Sequence, residues 1–200
     1  LRSTKLTVDK SKLRSSGITT GTVNGMNHNS FYGLRVEDEE ISLNYPDVAE
    51  VLAVYESKTS TVPTLDALTF ETGLGLDTNS ILGEYILGPN NNAVAQIVTR
   101  SSSTKVEVVY LNDDRFSVGE TLTFQESKIE GTIQAVINGS YVDLTEQYIL
   151  DDGQRPDFSD YSRLVRVENK VPTKQLLVIF NHYIIPDSDD GDAFTVLSYG

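Results

Sequence analysis

The sequence has no cysteine and no tryptophan, and only one methionine and two histidines in 200 residues. Without cysteine there is no disulfide framework and no thiolate metal site, which fits assembly in a reducing cytoplasm. With His28 and His182 as the whole imidazole inventory, any reaction that relies on a histidine cluster is excluded. Positive charge is scarce too: 16 Lys and Arg stand against 29 Asp and Glu, a formal net charge of -13. Such a chain repels phosphate backbones and anionic membrane surfaces, so neither nucleic acid nor a membrane is expected as a partner. No apolar run approaches the roughly 20 residues that span a bilayer, and no charged-then-apolar leader opens the chain. The chain starts at Leu1 without an initiator methionine and breaks off at Gly200 in the strand-like "FTVLSYG", so it reads as a piece of something longer or as a processed chain.

What the sequence does have is alternation of apolar with polar residues, rich in β-branched and aromatic side chains and bounded by Gly, Pro, Asn and Asp. The pattern predicts strands at "EVLAVYES", "AVAQIVT", "KVEVVYL", "ETLTFQE", "GTIQAVI", "SYVDLTE", "RLVRVE" and "QLLVIFNHYII". One helical turn or two is expected at "DFSDYSRLV", capped by Asp157 or Ser159, with apolar positions at Phe158, Tyr161, Leu164 and Val165. The expected fold is therefore mainly β, with antiparallel sheets in sandwich-like modules and at most one short helix.

Three sections follow from composition. Residues 1–44 are polar, rich in Ser, Thr, Gly and Asn, and are expected to form an extended N-terminal arm laid along a neighbour. Residues 45–138 form a β module, and residues 139–200 a C-terminal β module with the longest apolar strand, "QLLVIF". Within the second section a shift of 36 residues lays Gly83-Glu84 on Gly119-Glu120, Ile86 on Leu122, Ile97 on Ile133 and Val106 on Val142. The two copies read as related hairpins. Either they descend from a duplication, or hairpins with similar turns share apolar alternation.

No constellation for catalysis emerges. A nucleophile needs a base in reach and a group to orient that base, yet His28 lies in the turn-like "NGMNHNS" and His182 ends a strand. Alternation places Leu176, Val178, Phe180 and His182 on one face of that strand and Leu177, Ile179, Asn181 and Tyr183 on the other, so His182 reads as a packed or rim residue. Carboxylates are too abundant for any pair to carry specificity. "DSDDGDAF", from Asp187 to Phe194, has a superficial likeness to a calcium loop, but Asp187, Asp189 and Asp190 precede Gly191 at the wrong spacing; residues 187–192 read as a solvated acidic turn. No catalytic residue, metal site or cofactor is expected.

The stretch "ILDDGQRPDFSDYSRLVRV", Ile149 to Val167, crowds Arg155, Arg163 and Arg166 against Asp151, Asp152, Asp157 and Asp160 around a Gly153 turn and Pro156. That density of opposite charge suggests a network that pins a loop, with bidentate arginine–carboxylate pairs supplying geometry more than energy. The stretch reads as a joint between β elements.

Several segments together resemble a known class: "NSFYGLRVEDEEISLNYPDVAEVLAVYES", the hairpins "ILGEYILG" and "FSVGETLTF", and "YILDDGQRPDFSDYSRLVRVENKVPTKQLLVIFNHYIIP" followed by "GDAFTVLSY". They resemble modules of large virion structural proteins, of the tail or baseplate, from cyanophage-type contractile-tailed phages, from about Asn29 onward. The resemblance implies a structural role without catalysis: a β-rich module assembled in the host cytoplasm, held in the virion by contacts with other tail or baseplate proteins and as a homo-oligomer within the particle. A different class remains open, a receptor- or glycan-binding β domain at a tail tip, for which Tyr141, Tyr148 or Tyr161 would form a stacking platform.

Overall fold

The computed structural model describes residues 2–8, 35–59, 61–89, 92–156 and 159–183. The described chain is mainly β and antiparallel. Its thirteen strands, in chain order, are β1 (Arg2–Val8), β2 (Glu40–Ser42), β3 (Val48–Ser57), β4 (Asp66–Phe70), β5 (Tyr85–Leu87), β6 (Val94–Ser102), β7 (Lys105–Tyr110), β8 (Thr121–Phe124), β9 (Glu130–Ile137), β10 (Tyr141–Asp143), β11 (Tyr148–Asp151), β12 (Arg163–Arg166) and β13 (Leu176–His182). One α-helical turn, α1 (Leu76–Asn79), follows β4, and a 3₁₀ turn spans Thr145–Gln147.

They build three layers. A four-stranded sheet, β1-β13-β3-β10, lies in the middle, a three-stranded sheet, β11-β12-β2, covers one face, and a closed six-stranded barrel, β4-β7-β6-β5-β8-β9, covers the other. The middle position explains why every residue of β13 is buried. Its alternation sends Leu176, Val178 and Phe180 into the core shared with Ile41, Leu43, Tyr148 and Leu164 of the three-stranded side. Leu177 and Ile179 face Val98 and Val109 on the barrel's outer wall. Asn181, on the barrel side, donates to Glu50 at 2.7 Å and to Gln96 of β6 at 3.2 Å, so the polar pair is satisfied where two apolar layers meet. The two-faced reading of this strand is what the structure has.

The barrel interior is filled by alternate residues of each strand, among them Leu68 and Phe70, Ala95 and Ile97, Val106 and Val108, Leu122 and Phe124, and Ile133. The 36-residue shift recurs in its backbone. Gly83 donates to the Ile97 carbonyl at 2.9 Å and Ile97 returns a bond to Glu84 at 3.0 Å; Gly119 and Ile133 repeat this at 2.9 Å, with the return to Glu120 at 2.8 Å. Both glycines sit at positive φ, 90° and 88°, where a side chain would be strained. Even the irregularities match. Pairing skips Val98 in β6 and Gln134 in β9, which stand 36 apart. The correspondence ends at the third strand, for Val106 lies inside the barrel on β7 while Val142 lies on β10, which has left for the middle sheet. β4 takes the vacated place and closes the ring by pairing with both β7 and β9.

Both described parts of the first section contribute a sheet strand. β1 runs along β13 from Arg2↔His182 to Val8↔Leu176, and β2 pairs with β12. β3, expected to open the second section, pairs along most of its length with β13 of the third. The helical turn expected at "DFSDYSRLV" is absent over its described part. Arg163–Arg166 is strand β12, because alternation buries Leu164 while Arg163 and Val165 lie beside Asp151 and Ile149 of β11. Asp157 and Phe158 lie outside the described residues.

Candidate docking site

The charged stretch after β11 is a joint in the structure. Asp151 accepts a two-pronged bond from Arg155, Nη1 at 3.0 Å and Nη2 at 2.8 Å, and another from Arg163, Nε at 2.9 Å and Nη2 at 2.7 Å. It also accepts the Gly153 amide at 3.0 Å. Bonds from Arg155 first, with the Gly153 amide and the Arg163 guanidinium, hold its carboxyl well below the usual carboxylate range. Arg163 reaches on to Glu40 of β2 at 3.0 Å, and Arg166 to the carbonyls of Glu37 and Asp38, so the arginines tie the three strands of this sheet together. Asp152 accepts the Gln154 amide and Asp160 that of Tyr161.

Backbone amides claim many of the excess carboxylates. Glu84, fully buried, accepts the amides of Ile81 at 2.6 Å, Ser127 at 2.9 Å and Glu126 at 3.2 Å, and the Ser127 hydroxyl at 3.0 Å. Glu56 accepts the amides of Thr173 and Lys174, and Asp66 that of Gly139. Among the described residues no three His, Asp or Glu side chains gather to hold a metal ion.

The residues weighed from sequence separate. His182 is buried against Tyr45, ring centroids 4.6 Å apart, with Nδ1 3.2 Å from the Tyr183 carbonyl. His28 and the acidic turn 187–192 lie outside the described residues. The three tyrosines lie in different settings. Tyr148 is only 7% exposed in the core, Tyr161 lies beyond the Gly153 turn, and Tyr141 stacks on Tyr55 at 3.8 Å with 15° between the rings. Tyr141 donates its hydroxyl to Asp66 at 2.5 Å.

Burial and the nearby Asp143 charge push the Tyr55 hydroxyl up to about 12, and burial together with the bond to Asp66 pushes Tyr141 up as well. Both hold their protons more tightly when folded, so their contribution is complete below the ordinary value of 10.0 and is lost as pH rises through the folded value. An alkaline titration by tyrosine difference absorbance and circular dichroism is expected to show Tyr55 ionising with loss of structure between pH 10.0 and about 12, and Tyr141 holding its proton until that structure is lost. Ordinary titration of all tyrosines on an intact fold would refute it.

A recognition feature arises where β10 stops. β10 pairs with β3 only from Tyr55 to Ser57. Asp143 then accepts the Thr145 amide at 2.9 Å and its hydroxyl at 2.6 Å, folding the chain into the 3₁₀ turn. Leu144 donates its amide to the Val54 carbonyl, and Thr145 Oγ1 accepts the Val54 amide at 3.0 Å, after which the chain leaves for the other sheet. Among the described residues no strand lies on that side of β3 from Val48 to Ala53. Leu52 is also skipped by β13, which pairs with Ala53 and then Val51. Over this edge opens a groove of ≈ 660 Å³ with Glu50, Val51 and Leu52 on its floor, the barrel's 110–115 loop as one wall, and the 3₁₀ turn with Glu168 as the other. A second groove, of ≈ 730 Å³, lies at the start of β3, with the exposed Ile149 and Tyr183 in its lining. Sequence reasoning did not find the edge. The Asp143 and Thr145 pair in "YVDLTE" was the signal that the strand would turn away.

Comparison with known proteins finds no matching family model, no matching curated protein and no matching solved structure.

Proposed function

We propose that this chain is a structural component of a phage virion, a tail or baseplate assembly protein that works through protein–protein contacts. The single observation that carries the contact role is the bare half of β3 under an open groove, since an unpaired strand edge is a template for another chain. The resemblance of the segments from Asn29 onward supplies the particle. Carboxylates that cap turns and arginines that tie strands give a rigid body suited to holding a place in an assembly.

Gold-labelled antibody against this segment, applied to intact particles of the source phage and imaged by electron microscopy, is expected to label the tail end or baseplate. Protein free in the cell lysate, with no label on any particle, would overturn the proposal.

A further inference from the structure

Sheet edges in folded proteins are kept short, charged, bulged or covered, because a row of free N–H and C=O groups recruits other strands. The outer edge of β3 from Ala49 to Ala53 carries no paired strand among the described residues, the Val48 amide being taken by the Ser162 hydroxyl at 3.3 Å, and its Glu50–Leu52 stretch lies at the floor of a groove, where an incoming backbone can reach it. Five residues of strand span about 17 Å, room for an added segment of similar length. We propose that this edge accepts an extended segment of another protein, carrying lysine or arginine at alternate positions, as a further strand of the middle sheet in line with β10. The inference rests on the assembly reading above and names the partner's chemistry.

Charge selects that partner. Glu50, Asp113, Asp143, Glu146 and Glu168 line the groove against one cation, Arg115, which lies over the Tyr110 ring at 4.3 Å and donates to the Asn112 carbonyl at 2.7 Å. Side chains of an added strand alternate between its two faces, so cations at every second position would all lie along one acidic wall. The ladder of backbone bonds would supply affinity in any sequence, and the acidic walls would choose among sequences and speed the encounter. The chain's overall charge of -13 works in the same direction.

The test uses the whole chain and two short blocked peptides, one alternating lysine with valine and the other glutamate with valine, read by amide hydrogen exchange. The lysine peptide is expected to slow exchange within Glu50 to Leu52, the stretch on the groove floor, by about tenfold, and less in high salt, while the glutamate peptide leaves it unchanged. Glu146→Lys combined with Glu168→Lys, two exposed positions, is expected to reverse the preference. Three results would overturn the proposal: slow exchange at this edge in the free chain, protection at β1 or β11 instead, or equal response to both peptides. An edge that ignores the peptides in a chain that still labels the particle refutes this inference alone. A chain missing from the particle, with an edge that binds the lysine peptide, refutes the proposed function alone.

Discussion

Replacing Glu84 with alanine is expected to cost about 3–5 kcal/mol, the scale of uncovering several buried polar groups at once. The reason lies in what the carboxylate serves. It is fully buried and accepts the amides of Ile81, Glu126 and Ser127 together with the Ser127 hydroxyl, so it holds both the entry to β5 and the turn between β8 and β9. Alanine would leave those donors without an acceptor and too deep for water to reach easily. Glutamine preserves the shape but turns one acceptor oxygen into an NH₂ group, which would then face an amide N–H on whichever side it was placed. It should cost about 2 kcal/mol, less than alanine but more than an exposed substitution. Urea unfolding midpoints with an unchanged slope would measure both. A glutamine variant as stable as the parent would show that the negative charge contributes nothing.

Gly153→Ala is expected to destabilise the joint by about 3 kcal/mol, because it combines backbone strain with a hard contact. Gly153 sits at φ 78°, and a Cβ placed there would stand 2.3 Å from the Asp160 carbonyl oxygen. That oxygen cannot retreat freely, since the Asp160 amide donates back to the Gly153 carbonyl at 2.9 Å. The same turn presents the Gly153 amide to Asp151 and the Asp152 carbonyl to the hydroxyl of the fully buried Ser162. The damage should spread to β12. Thermal melting of the variant beside Gly73→Ala, where an added Cβ meets nothing but φ is 99°, would separate the contact from the strain. Equal losses in the two variants would mean the contact is harmless.

These cases show how far the sequence could be read. Each of the eight alternating runs contains a strand, because alternation is a local property, written wherever one face is buried or two unlike faces are. Gly83-Glu84 and Gly119-Glu120 were visible as a repeat because each pair makes its own local geometry, a positive φ followed by a carboxylate that caps the turn. β4, only "DALTF", was passed over. Nothing local marks it, and its place is fixed by partners in β7 and β9 some forty and seventy residues on. β1 was read as part of a polar arm because its residues are mostly polar; its strand form depends on β13, at the far end of the described chain. The turn expected at "DFSDYSRLV" failed because spacing of 3 and 4 also satisfies a strand when only Leu164 must be buried. The bare edge of β3 was illegible in "VAEVLAVYES" itself, since it depends on where another segment turns off.

The arrangement of β3 and β10 carries one more consequence. These strands are paired neighbours, Ser57 opposite Tyr141, so everything between them departs from and returns to a single point of the middle sheet. The barrel is thus a passenger in a hairpin, its two ends about 5 Å apart. A lineage of such proteins could lengthen, shorten or exchange that passenger by recombination at two adjacent positions, with the host's own strand order unaltered. The carrier would need only a new apolar cover for Ala53, Leu177 and Ile179. In a long chain made of such parts, the middle and three-stranded sheets would be the fixed connector and the barrel the piece free to diversify.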